Sequence, residues 1–169
     1  MTLPRGQSVI NWQKDQYAHD KRNHFDILTL SKSDRLKHFA LHFAKYAGRL
    51  ARGENAAQKT ELQTAIDSLL VSLSAANTIS QRLETHHNDA KDNREEIFRR
   101  YVDAMGHFCD AVEKLDHAEF DNVRKMLLVS NQELFSIAVL NCQLHNVDIK
   151  DELILRRSFL SERAFFAGD

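Results

Sequence analysis

The chain has 169 residues, with 23 Lys and Arg against 24 Asp and Glu, for a formal net charge of −1. That balance removes the electrostatic drive for tight DNA or RNA binding, and a hydrophobic content of 43% excludes a disordered chain. One proline, Pro4, and five glycines are too few breakers for a β-sandwich or barrel. The length predicts one all-α domain over 1–169, able to bury roughly 70% of its unfolded surface without disulfide staples. No basic and apolar leader precedes the helical pattern. No run approaches the ~18 apolar residues of a membrane span. Cys109 and Cys142 lie in apolar helical contexts and read as reduced packing residues. The expected compartment is therefore the cytoplasm, with no membrane partner.

In chain order, the stretch from Gln7 to about His19 reads as a short helix carrying Val9, Ile10, Trp12 and Tyr17. Lys21 to Thr29 reads as a loop anchored by Phe25, Ile27 and Leu28. Ser31 with Asp34 resembles a capping box opening a helix to about Ala51, whose stripe is Leu36, Phe39, Ala40, Phe43, Ala47 and Leu50. Gly53 supplies the positive φ of the following turn. A second helix is expected from about Ala57 to His86, and His87 to Asp92 is a polar loop. Asn93 with Glu96 starts a third helix, and Asp116 with Glu119 a fourth, running to about His145. Asn146 fits a left-handed stop. A last helix is expected from about Asp148 to Phe165, within a C-terminal helix and tail over 148–169.

The two halves resemble each other. Arg35-Leu36 matches Arg100-Tyr101, His42-Phe43 matches His107-Phe108, and Leu50 matches Leu115, at an offset of 65. In the following helices Leu70 matches Leu134, Ser72 matches Ser136 and Asn77 matches Asn141, at an offset of 64. The expected architecture is a helical bundle of two repeated antiparallel hairpins, about 31–88 and 94–147, with N- and C-terminal helices added.

Three polar groups stand out. Asp67, Asn77, Asn131 and Asn141 lie in or beside apolar stripes, where an unpartnered amide or carboxylate costs about 1–3 kcal/mol. They read either as a polar pocket or as amides bonding across the bundle to fix its register. His38, His42, Lys45 and Arg49 project opposite the apolar face of their helix, and the two cations favour an anion such as phosphate or carboxylate. Asp103, His107 and Asp110 cluster within about 60° on a wheel, a donor mix able to hold a divalent metal or to form a solvated face beside Lys114. Gly48 and Gly106 interrupt helices at about 1 kcal/mol each, as close helix approach or ligand clearance would require.

The segment from His42 through Leu50, followed by Thr64-Ala65-Ile66-Asp67 and later Ala76-Asn77, resembles the MazG-type all-α nucleoside triphosphate pyrophosphohydrolases over about residues 30–90. A weaker resemblance covers 95–147. That family carries Glu-Glu-x-x-Glu on one helix and Glu-x-x-Asp on the next, holding Mg²⁺ for hydrolysis of the α–β phosphate bond. Here Lys45, Tyr46 and Arg49 stand at the first three acid positions and Thr64 at the next, leaving Asp67. In the second half Asp110 occupies one matching position, with Ala111, Lys114 and Asn131 at others. The resemblance implies the fold, and assembly as dimers or tetramers. The replaced acids imply a catalytically degenerate member that binds a nucleotide or other anion. Two alternatives stay open. One is an active, Mg²⁺-dependent enzyme with its site relocated to Asp103, Asp110 and Glu113. The other is an interaction module using the apolar segment Phe159, Leu160, Phe165 and Phe166.

Overall fold

A computed structural model describes residues 6–53, 59–85, 93–117 and 122–163, and these form seven helices with short connections and no strand. They are α1 (Gly6–Asn23), α2 (Phe25–Leu28), α3 (Lys32–Arg52), α4 (Glu61–Ile79), α5 (Arg94–Asp116), α6 (Val123–Leu144) and α7 (Ile149–Glu162). The helix α4 carries buried residues on every side and touches α1, α3, α6 and α7. Helix α5 packs on α3 and α6, closing a ring of four helices. At its centre the rings of Phe43 and Phe108, both fully buried, meet edge to face with centroids 5.2 Å apart. These two are the Phe pair that the sequence comparison of the halves matched at an offset of 65. A second apolar cluster, built on Leu69, Leu73, Phe135 and Leu153 with Trp12 and Leu83, seats α1 and α7 on the other side of α4 and α6.

Local signals explain most helix starts. The Ser31 hydroxyl accepts from the Asp34 amide, and the Asn93 side chain accepts from the Glu96 amide. Thr60 and Gln63 form a reciprocal capping box for α4 that was not among the expected caps. Gly53 takes φ 70° and Asn146 φ 54°, as expected of a turn glycine and a left-handed stop. Cys109 and Cys142 are free thiols, the latter buried.

Four expectations need correction. The helix α1 continues to Asn23, and Phe25–Leu28 is a helical turn, where a loop was expected. The second half of α1 buries Gln16, His19, Asp20 and Asn23, and a polar buried face leaves no hydrophobic period by which to read its end. The helix α4 stops at Ile79, well short of His86. Ser80 turns left-handed at φ 54°, and residues 81–85 are held by side-chain amides. Gln13 donates to the Gln81 carbonyl (2.8 Å) and accepts from the Leu83 amide (3.1 Å), and Gln132 bonds the Glu84 backbone in both directions. Asp116 ends α5 and does not cap the next helix. Helix α6 begins after a left-handed Asn122, and Glu119 lies outside the described residues. Gly48 and Gly106 mark no close helix approach: a Cβ at Gly106 would meet nothing within 4 Å, and one at Gly48 only the mobile end of Arg52.

The polar loop expected over 87–92, and Phe165 and Phe166, lie outside the described residues. Among the described residues no helix is long and apolar enough to cross a membrane.

Gly106→Ala, in a helix interior with open space at Cβ, is expected to raise stability by about 0.5–1 kcal/mol, read as a higher urea midpoint at unchanged slope. Phe43→Ala and Phe108→Ala are each expected to cost about 3–5 kcal/mol. The double variant should reveal a coupling of about 0.5–1.5 kcal/mol from the ring contact.

Candidate functional site

Asp67 sits on α4 facing α3 and α7, with its side chain only 7% exposed. Three cations from three parts of the chain converge on it. Arg49 of α3 reaches Oδ2 at 3.0 Å, Lys59 reaches the same oxygen at 2.7 Å, and the Arg156 Nε of α7 reaches Oδ1 at 2.7 Å. Burial alone would raise the Asp67 carboxyl, but hydrogen bonds from Lys59 and Arg156 outweigh it and hold the group below the usual carboxylate range. One carboxylate thus answers three cations, so the cluster keeps a net positive charge.

That cluster forms one end of a cavity of about 420 Å³ between α1, α2, α3, α4 and α7. The volume falls in the range of small-molecule sites. Lys45 and Arg163 also line it. Among the described residues neither makes an ion pair: Lys45 donates to His42 Nδ1 (3.3 Å) and lies over the Tyr46 ring, while Arg163 stacks on Phe159. Arg49 lies over the same Tyr46 ring, 5.1 Å from its centroid. Burial pushes the Tyr46 hydroxyl up, so it remains a neutral donor. Burial, then the neighbouring Lys45, pushes His42 down to about 4, so this imidazole is neutral at neutral pH. Burial lowers His38 as well. Gln16, Asp20, His24 and Ser74 give the cavity a polar stretch of wall, and Ile27, Phe39, Leu70, Val71 and Leu160 an apolar one. An anionic head against the cations, with an apolar or planar body on this wall, suits the space.

The expected site residues separate into three groups. Lys45, Arg49 and Asp67 come together around the cavity, with Tyr46. Asn77, Asn131 and Asn141 do not line it. The Asn77 amide donates to the Gln13 carbonyl of α1 (2.9 Å). Asn131, fully buried, donates to the Ser72 carbonyl (3.1 Å) and to Gln81 (2.8 Å), tying α6 to α4. Asn141 reaches Glu61 at 3.3 Å and lines a separate cavity of about 50 Å³ beside Thr64. All three bond between elements, as register-fixing amides do. Asp103, His107 and Asp110 lie on the outer face of α5. His107 pairs with Asp103 at 3.6 Å with both side chains more than 60% exposed, and Asp110 pairs with Lys114 at 3.5 Å. Glu113 pairs with His117 there, at 2.9 Å.

Lys59, Arg156 and Arg163 were not expected at the site. Lys59 precedes a cap, and the two arginines lie in a helix read only for its apolar positions. No sequence signal set them apart, because cations and acids balance over 148–163. Phe159, expected in an apolar interaction segment, is half exposed between Arg156 and Arg163, and Leu160 turns inward to the cavity.

Because the folded pKa of Asp67 is depressed, its contribution to stability is present above its unfolded value, about 3.9. That contribution is lost as pH falls through the lower folded value. Asp67→Asn is expected to cost about 3 kcal/mol at neutral pH by leaving three cations uncompensated. It should also flatten the acid limb of a plot of urea midpoint against pH between about pH 5 and 2. Compared with models of protein families, with curated proteins and with solved structures, the chain shows no significant match.

Proposed function

We propose that the protein binds an anionic small molecule, of the nucleotide class or a comparable phosphate or carboxylate compound, in the cavity beside Asp67, and does so without Mg²⁺-dependent hydrolysis. The observation that carries this is the charge of the walls. Lys45, Arg49, Lys59, Arg156 and Arg163 face the cavity, against the two carboxylates of Asp67 and Asp20. Guanidinium and ammonium donors at short range recognise phosphate and carboxylate oxygens directly. Mg²⁺ instead requires carboxylate oxygens at about 2.0–2.1 Å, and both Asp67 oxygens are already engaged by cations.

The MazG-like reading fits the same geometry. Positions 45, 46, 49 and 67, where that family would place acids, border one space, with the charge inverted at two of them. The matched Phe43 and Phe108 meet at the centre of the four-helix ring, which supports two repeated hairpins. In this reading the chain keeps the family's scaffold and serves a binding or regulatory role.

Calorimetric titration with ATP, GTP and pyrophosphate, with and without Mg²⁺, tests this. Binding is expected in the absence of metal. Lys45→Ala and Arg163→Ala should each weaken it by about tenfold, the value of one charge-assisted hydrogen bond of about 1.5 kcal/mol. Asp67→Asn should tighten it while lowering stability, since it removes the competing carboxylate. Absence of heat with all three compounds defeats the proposal. So does Mg²⁺-dependent release of pyrophosphate that is lost on alanine substitution of Asp103 and Asp110, which would instead establish the relocated enzyme site.

A further inference from the structure

At the opposite side of the same cavity, the end of α1 brings together His19, Asp20 and His24. Each offers one donor atom, and the three atoms lie within 4.8 Å of one another. Two features of this group stand out. Asp20 is only 6% exposed, yet among the described residues it makes no direct ion pair; its oxygens accept from Gln16 (2.8 Å) and Ser74 (2.6 Å), both neutral, and the buried Arg157 acts on it only from behind Gln16. A buried carboxylate without a direct ion pair is costly. His19 is 8% exposed, and among the described residues its Nε2 has no hydrogen-bond partner.

We propose that His19, Asp20 and His24 form a binding site for a divalent transition-metal ion of the zinc class. Two imidazoles and a carboxylate are the donor set that zinc takes when it leaves one position open. Asp20 and His24 line the cavity, so the open position faces it. The ion gives Asp20 a directly bound cation and His19 Nε2 a partner together. The supporting shell is present: Gln16 and Ser74 fix the carboxylate, and Asn23 lies 3.0 Å from His19 Nδ1. As placed, the Asn23 amide nitrogen faces Nδ1 and also donates to the His19 carbonyl (3.1 Å), so metal binding at Nε2 must move the ring proton to Nδ1 and turn the amide oxygen onto it, giving up the carbonyl bond. That leaves the Nε2 lone pair for the metal. Bond lengths of about 2.0–2.2 Å place tetrahedral donors about 3.4 Å apart. The group must therefore draw in slightly, and His24, at the joint between α1 and α2, is the residue placed to do so. The site does not depend on the anion proposed above, because the metal alone is the probe.

The test is titration of the metal-free full chain with Zn²⁺ against a chromophoric chelator, and with Co²⁺ followed by its visible spectrum. One equivalent per chain is expected, with the intense ligand-field bands of a four- or five-coordinate Co²⁺. His24→Ala, at a half-buried position, should weaken binding by at least about tenfold and abolish the rise in melting temperature that Zn²⁺ gives the parent chain. Asp20→Asn should do the same, and His107→Ala on the exposed face of α5 should change neither. No binding beyond that of exposed histidines, equal affinity in His24→Ala, or loss of binding in His107→Ala instead, each overturns the proposal.

Discussion

The ion cluster on Asp67 is the interaction around which the molecule is arranged. The carboxylate projects from α4, which touches four other helices. Its three partners come from the end of α3, the segment before α4, and α7. Apolar packing alone would leave α7 free to slide on α4 and α6, since dispersion and burial are not directional. A carboxylate with both oxygens claimed fixes the register of these parts. Exposed ion pairs contribute little. This one matters because its acid is buried and its loss strands three cations.

The cationic lining sets the chemistry open to the cavity. A site that holds a phosphate chain through Mg²⁺ needs acids to hold the metal, and the metal then polarises the bond to be broken. A site of guanidinium and ammonium groups holds the same chain without an intermediary ion. It binds ground-state charge as readily as any developing charge, which favours affinity over rate. Tyr46 assists by offering its ring face to both Lys45 and Arg49, holding two like charges close together.

Much of the helical order was legible because its signals are local. Ser31, Asn93, Gly53 and Asn146 act within a turn of their own position, and the stripes of α3 and α5 follow one period. What escaped is set by distant partners. Residues 81–85 leave the helix because Gln13 and Gln132, far away in sequence, satisfy their backbone. The end of α1 is buried through polar side chains, which carry no hydrophobic period. Within the cavity, Lys45, Arg49 and Asp67 were found because helix spacing and a motif group them. Lys59, Arg156 and Arg163 reach it only through the tertiary fold. The asparagines were visible as polar groups among apolar ones, but a wheel cannot say whether a neighbour will be a ligand or a backbone carbonyl.

Helix α7 meets α1 through a buried arginine. Arg157 donates to Gln16 (3.0 Å) and to the Trp12 carbonyl (3.2 Å), while Asn23 reaches Ser161 (3.2 Å). These bonds span more than 135 residues of chain, the costliest loops to close during folding. The cavity walls come from both partners, so the four-helix ring can assemble before the cavity exists. On the ribosome, the closed cavity would therefore arrive last, after α7 has emerged. A chain with α7 undocked would hold most of the apolar core but lack the wall that Arg156, Leu160 and Arg163 give the cavity.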